Sequence, residues 1–158
     1  QSTRKSQMRI FQSPGMTLPT IEACLTGDFT SLVNFGTHIM WGAGYGQSIF
    51  ARTNSYKSAG GENEYFVSWG AEDVERYVRF IKLGYGVARA NSGCVVHFEH
   101  PRGNDSSNKN PYFEANENLW LRLQQLDSQQ LLQAYHGFEY PKARGFKLDF
   151  GTRYKQKV

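Results

Sequence analysis

The stretch Gly60-Gly-Glu-Asn-Glu-Tyr-Phe-Val-Ser-Trp-Gly-Ala-Glu-Asp73 leads directly into the clearest helical pattern of the chain. Glu72 and Asp73 stand in the predicted first turn, where the free amide groups and the helix dipole favour carboxylates. Apolar residues then recur at helical spacing until Gly84, at Val74, Tyr77, Val78 and Ile81. The pattern predicts a helix from Glu72 with one apolar stripe.

Shorter elements are predicted on both sides of this helix. Residue types typical of strands occur over 31–40, 85–90 and 93–98, and a short helix or turn is predicted over 48–59. A longer helical region is predicted over 114–135, with its buried side at Leu119, Leu123, Leu126, Leu131, Leu132 and Tyr135. Prolines and a glycine make residues 1–20 an expected irregular lead-in. We predict one α/β domain with mixed short strands and two main helical regions.

The composition suits a folded domain with a polar, aromatic-lined cleft. The 158 residues suffice for one domain with a core, and 15% of them are aromatic while 39% are hydrophobic. The net charge of +4 is modest, and the basic residues concentrate near the end of the chain. A solvated basic tail is expected there. Nucleic acid is not expected as a partner, because no zinc finger, basic helix or RNA-binding signature accompanies these charges.

Cysteine content and hydropathy bear on localisation. Two cysteines, Cys24 and Cys94, cannot make a framework of several disulfides, which favours a reducing compartment. A cytoplasmic location is therefore expected, and the alternative in a eukaryote is the Golgi lumen. No apolar run is long enough to predict a membrane span, so membrane contact is not indicated. Gln1 is not an initiator methionine, which suggests a chain cut from a longer protein.

Candidate functional residues cluster around the quoted stretch. A carboxylate pair at a helix start is most often a cap, a tryptophan is often a core residue, and a histidine is often an ordinary polar side chain. Here two glycines, a Trp-Gly turn and two carboxylates are followed by His97 and His100. These would place an acid/base group, an aromatic platform and metal ligands at the ends of successive elements.

Five short motifs carry a resemblance to a known family. They are Gly46-x-Ser48-x-Phe50, Gly60-Gly61, Phe66-x-x-Trp69-Gly-x-Glu-Asp73, Gly84-Tyr85 and Val96-His97-x-x-His100. Together they resemble the C-terminal, acceptor-side region of galactosyltransferase-type enzymes with the GT-A fold, including bacterial family 2 glycosyltransferases. The resemblance covers about 44–110, and 111–158 would be a helical, basic extension. Ala71 departs from the family's usual second glycine.

The resemblance implies a mechanism and its residues. Asp73 would be the general base of an inverting sugar transfer, with Glu72 beside it as a second catalytic candidate. Trp69, Gly70 and Gly61 would contact the substrates. His100, and less directly His97, would bind Mn²⁺ or Mg²⁺ with a nucleotide-sugar donor such as a UDP-sugar, and the acceptor would be a saccharide.

The departures from the family qualify these implications. No Asp-x-Asp, the family's motif for the metal and the diphosphate, occurs in the sequence, and Val74 replaces an acidic residue that galactosyltransferases often have there. Glu62-x-Glu64 has the spacing but is interpreted as loop structure. The sequence therefore suggests the C-terminal part of a glycosyltransferase without its donor half, inactive in isolation and prone to self-association. The alternatives are a silent carbohydrate-binding or scaffolding domain and, less favoured, a metal hydrolase using Glu99 with the two histidines.

Overall fold

The structure, a computed structural model, describes residues 9–13, 18–28, 30–31, 38–40, 48–88, 94–98 and 103–156. The chain divides into two compact units. The first comprises residues 1–44 and 88–101, and the second comprises residues 45–87 and 102–158. Two compact segments do not by themselves decide whether a chain folds as one domain, so the single domain over 1–158 stays a prediction.

The described part of the first unit includes a small sheet and helix α1. Strand β1 (Arg9–Ser13) is followed by helix α1 (Leu18–Thr26), β2 (His38–Met40) and β3 (Cys94–Phe98). The strand order is β2-β1-β3, with β1 antiparallel to β2 and parallel to β3. The irregular lead-in predicted over 1–20 is wrong, because it contains β1 and the start of α1.

The second unit is built from helices and the loops between them. Its elements are α2 (Thr53–Ser58), α3 (Glu72–Lys82), a 3-10 turn (Asn104–Ser106), α4 (Phe113–Gln125), α5 (Ser128–Gly137), α6 (Glu139–Ala143) and α7 (Thr152–Lys155). The helix predicted from Glu72 is confirmed. The predicted region 114–135 is two helices, because Asp127 forms a capping box with Gln130 and begins α5.

The predicted fold class, an α/β C-terminal part of a GT-A fold with mixed short strands, is wrong. In the described part of the second unit, every regular element is a helix or a helical turn. Residues 85–88, predicted to begin a strand, are irregular. This part of the chain bonds to residues near the chain end: the Gly151 amide donates to Leu83 O (2.8 Å), and the Tyr85 hydroxyl donates to Asp149 O (2.7 Å).

The core of the second unit combines an apolar cluster with a buried ion pair. Leu123, Leu131, Tyr135 and Tyr140 form the apolar cluster. Helix α3 buries Glu75 and Arg79, whereas Ile81 of the predicted apolar stripe is 48% exposed. The other residues of that stripe, Val74, Tyr77 and Val78, are half-buried. The buried charges are tolerated because they bond to each other and to backbone carbonyls.

Among the described helices, none has the length and apolar character needed to cross a membrane.

Candidate functional site

A buried arginine fixes the glycine loop that precedes the site. The Arg79 guanidinium donates from Nε to Glu75 Oε1 (2.9 Å), from Nη2 to Gly61 O (2.8 Å) and from Nη1 to Ala59 O. The Tyr140 hydroxyl donates to the intervening carbonyl, Gly60 O, at 2.9 Å. Burial opposes the charge of Arg79, but Tyr135 and Glu75 raise its pKa above the ordinary value. The loop at 59–61 is therefore held by donors from α3 and α6.

Both glycines of this loop are required by packing. Gly60 and Gly61 have φ of 93° and 61°, which favours glycine. A Cβ at Gly60 would lie 2.7 Å from the Tyr135 ring, and one at Gly61 would lie 2.8 Å from the Phe146 ring. Gly61 is buried, so local packing accounts for the glycine, and its predicted substrate contact stays a prediction.

The Trp-Gly turn is tied to the asparagine-rich loop. Ser68 has a left-handed φ of 63°, and Asp105 O accepts hydrogen bonds from the Ser68 hydroxyl and the Trp69 amide. The Trp69 carbonyl in turn accepts from Asn110 Nδ2 at 2.9 Å. A Cβ at Gly70 would lie 2.7 Å from the Asn116 amide nitrogen, so the glycine allows this close approach. These bonds fix the backbone that carries the indole ring.

The Trp69 side chain lies at the surface on an aromatic support. Its indole is stacked on Phe113, with ring centroids 5.7 Å apart and planes inclined by 12°. Trp69 remains 43% exposed, so it is not a core residue. Phe113, Asn110 and Asn116 were not singled out in the sequence as site residues. No periodicity marks them, because their role depends on contacts with residues far away in the chain.

Glu72 and Asp73, adjacent in sequence, have different surroundings. Asp73 Oδ1 accepts from Arg76 Nη2, and Asp73 Oδ2 has no hydrogen bond within the described residues. Glu72 is half-buried, and its Oε2 is enclosed without a partner among the same residues. Burial raises the pKa of Glu72 above its ordinary value. The two carboxylates thus differ in the way that the 100° helical spacing predicts.

Of the two histidines predicted as metal ligands, the structure describes the backbone of His97. His97 lies in β3, where its backbone position is opposite Gln12 of β1. His100 lies outside the described residues. Within the described ranges no group of three or more His, Cys, Asp or Glu residues is placed to hold a metal ion. The metal ligands therefore stay predictions.

A separate open cleft of about 450 Å³ occurs in the second unit. It lies between the start of α2 and the last part of the chain, and its lining includes Arg52, Tyr85, Asp149 and Thr152. Trp69, Glu72 and Asp73 do not line it. The candidate site is therefore an exposed turn and helix start, not an enclosed pocket.

Comparison with protein families gives one informative match. The family model described as the N-terminal domain of galactosyltransferase matches residues 34–101. This match supports a galactosyltransferase-type domain. The matched range is less than half of the chain but includes every residue predicted for the site, from Gly61 to His100. Comparison with curated proteins gives no match, and neither does comparison with solved structures. The assignments to the C-terminal, acceptor-side region and to bacterial family 2 stay predictions.

Proposed function

We propose that this galactosyltransferase-type domain belongs to a glycosyltransferase that moves a sugar from a nucleotide-diphosphate donor to a saccharide acceptor, with inversion. One observation carries the proposal. Within the matched range, a single turn presents an exposed indole at Trp69 and, four residues later, a carboxylate at Asp73 with one oxygen free of hydrogen bonds to the described residues. An aromatic face and a carboxylate are the two groups that sugar recognition and hydroxyl activation need.

In the proposed reaction Asp73 is the general base. Its Oδ2 accepts the proton of an acceptor hydroxyl while that oxygen forms a bond to the anomeric carbon of the donor sugar. The bond from this carbon to the diphosphate breaks, and the nucleoside diphosphate leaves on the opposite face, which inverts the configuration. Arg76 holds the other oxygen, Oδ1, so the carboxylate has a fixed orientation. The exposed face of Trp69 stacks on a sugar ring.

Glu72 is the second catalytic candidate. Its raised pKa favours the protonated carboxylic acid more than in an exposed glutamate, which suits a group that donates a hydrogen bond to a sugar oxygen. Its enclosed Oε2 and its first-turn position also suit a purely local role at the helix start. We assign proton abstraction to Asp73 because its carboxylate is the more accessible of the two.

We further propose that the activity requires Mn²⁺ or Mg²⁺, with His100 as one ligand and His97 as the alternative. These ions suit oxygen and imidazole ligands and would supply positive charge at the leaving diphosphate. No coordination geometry is assigned, and the proton transfer to Asp73 does not depend on the ion. Calorimetry of the full-length protein with Mn²⁺ and a nucleoside diphosphate should show weaker binding in His100→Ala than in the parent. Equal affinities of His100→Ala and the parent would exclude His100 as a metal ligand. A larger loss of affinity in His97→Ala would assign the role to His97.

The 158 residues contain no Asp-x-Asp, so we propose that this chain on its own binds nucleotide sugars weakly and transfers none. The test of the proposed function therefore uses the full-length protein. Released nucleoside diphosphate is measured with a panel of nucleotide sugars and saccharide acceptors for the parent, Asp73→Asn and Glu114→Gln. Glu114 is a matched control because it is an exposed carboxylate in the first turn of another helix, α4.

We expect Asp73→Asn to lower kcat by about 10²- to 10⁴-fold, as loss of a general base does, with little change in nucleotide-sugar binding. Glu114→Gln should match the parent. An Asp73→Asn protein with more than about a tenth of the parent rate would contradict the assignment of the base. A parent that binds saccharides but releases no nucleotide with any donor would favour the alternative, a silent carbohydrate-binding domain.

A further inference from the structure

We infer that Arg76 is the positioning residue for Asp73, and that Glu62 of the glycine loop sets the position of Arg76. This inference rests on the proposed function, because it concerns the carboxylate proposed as the base. It also assigns a role to Glu62, which the sequence indicated only as loop structure.

The three side chains form one connected arrangement. The Arg76 guanidinium uses its two terminal nitrogens separately, donating from Nη2 to Asp73 Oδ1 and from Nη1 to Glu62 Oε2 at 2.5 Å. The other oxygen of Glu62, Oε1, accepts from the Tyr56 hydroxyl at 2.9 Å. Since both nitrogens are engaged, rotation of the guanidinium would break at least one charge-assisted hydrogen bond.

The anchor of this arrangement is rigid. Glu62 directly follows Gly61, whose carbonyl accepts from the buried Arg79 at 2.8 Å and whose φ of 61° leaves little choice of residue. Both oxygens of Glu62 are bonded, one to α2 and one to α3. A fixed backbone and two engaged oxygens place the Glu62 carboxylate, and through it the Arg76 guanidinium.

Arg76 differs from an ordinary surface ion pair. The difference lies in the arginine, since the Arg76 side chain is only 12% exposed and the Arg144 side chain is 58% exposed. The carboxylates are similarly exposed in both arrangements, at 46% for Glu62, 38% for Asp73 and 40% for Glu64. An exposed pair gains little, because water competes for both partners and both side chains lose rotamer freedom. A mostly covered guanidinium between two carboxylates is held in place more firmly, which is what orienting a base requires.

The functional consequence concerns one oxygen of Asp73. With Oδ1 held by Arg76, Oδ2 has a defined direction for a proton transfer from an acceptor hydroxyl. A carboxylate that rotates freely would present its oxygens in many directions, and displacement of a catalytic group by about 1 Å can cost about 10²-fold in rate. On this inference the rate of proton removal depends on Glu62, which bonds to Arg76 and acts on Asp73 through it.

The test compares four variants with the parent in the full-length protein: Arg76→Gln, Arg76→Lys, Glu62→Gln and Glu64→Gln. Glu64→Gln is the matched control, since it removes the same charge from the same loop but its partner is Arg144. The measurements are kcat, KM for the saccharide acceptor, and thermal unfolding. Asp73→Asn is assayed in parallel as the reference for loss of the base.

We expect Arg76→Gln to lower kcat by about 10²-fold and Glu62→Gln by about tenfold, with acceptor KM changed by less than roughly twofold. Arg76→Lys should recover part of the loss, because an ammonium can bond to one carboxylate but cannot bridge both with separate nitrogens. Glu64→Gln should leave kcat unchanged. A merely structural role would instead lower the unfolding temperature and leave the kcat of the folded fraction intact.

Three results would overturn the inference. If Arg76→Gln and Glu62→Gln keep the parent kcat while Asp73→Asn is inactive, the positioning role is wrong and the proposed base stands. If Glu64→Gln lowers kcat as much as Glu62→Gln does, the effect comes from the charge of the loop in general and not from the contact with Arg76. If Asp73→Asn has the parent rate, the proposed function fails and the inference fails with it. Should Arg76→Gln not fold, Arg76→Lys and Glu62→Gln decide by the same criteria.

Discussion

Replacing Arg79 by methionine should severely destabilise the second unit. Arg79 and its partner Glu75 are each 1% exposed, so water cannot replace the lost interactions. The substitution keeps most of the aliphatic volume but removes the guanidinium. Glu75 would then keep one short hydrogen bond, from the Tyr135 hydroxyl at 2.6 Å, and the carbonyls of Ala59 and Gly61 would lose their donor.

The magnitude follows from what remains buried. Removing one partner of a buried ion pair costs about 3–5 kcal/mol, because the other charge is left uncompensated. Two carbonyls would also lose their donor, and the guanidinium would no longer stack on the Tyr135 ring, 4.5 Å away. Both effects act in the same direction, so we expect the free energy of unfolding to fall by about 4 kcal/mol or more. The total free energy of unfolding of a small protein is only about 5–15 kcal/mol. The variant should therefore be near the limit of stability at room temperature.

The assay is urea unfolding followed by circular dichroism, with the free energy of unfolding taken by linear extrapolation. For an m value of about 2 kcal/mol/M, a loss of about 4 kcal/mol lowers the midpoint by about 2 M. The double variant Glu75→Gln/Arg79→Met should recover about 2 kcal/mol of the loss, because it removes the uncompensated charge as well. Arg144→Met is the control, since its pair with Glu64 is exposed and should contribute about 1 kcal/mol or less.

A loss below about 1 kcal/mol in Arg79→Met would refute this reasoning, because it would mean that the ion pair is hydrated or not formed. A double variant less stable than Arg79→Met would also contradict it. In that case the Glu75 carboxylate would be stabilised by groups other than the guanidinium.

Two further predictions concern a glycine and a half-buried acid. Gly84→Ala should destabilise the protein by about 1–3 kcal/mol, because φ is 82° and the added Cβ would meet the Tyr154 backbone. The control is Gly137→Ala, in open space at a helix end, which should be neutral or slightly stabilising in the same urea assay. Equal effects of the two substitutions would contradict the packing argument. Glu72→Gln should raise the unfolding temperature at pH 8 and not at pH 4. Because the pKa of Glu72 is raised in the folded state, the parent protein loses stability as the pH rises and this carboxyl group ionises. An equal difference in unfolding temperature between variant and parent at both pH values would contradict this reasoning.

The sequence predicted several parts of the second unit correctly for local reasons. The helix from Glu72 and the short helix inside 48–59 follow from periodicity and from turn residues at their ends. Leu123 and Leu131 are buried in the apolar cluster as their spacing predicts. The break between α4 and α5 has a local signal, the capping box Asp-x-x-Gln at Asp127, but this signal lies inside a longer helical pattern that continues on both sides.

The sequence by itself determined the motif Trp69-Gly-x-Glu-Asp73 and its place at a helix start, and with it the resemblance to galactosyltransferases that the family match supports. Only the tertiary structure decided which face of α3 is buried. Hydropathy assigns Glu75 and Arg79 to solvent, yet Tyr135, Ala59 and Gly61 supply partners that make burial favourable. The links from Asn110 and Phe113 to Trp69, and from Glu62 to Arg76, were hidden for the same reason. Such contacts join residues far apart in the chain, and periodicity records only the environment of neighbours within one element.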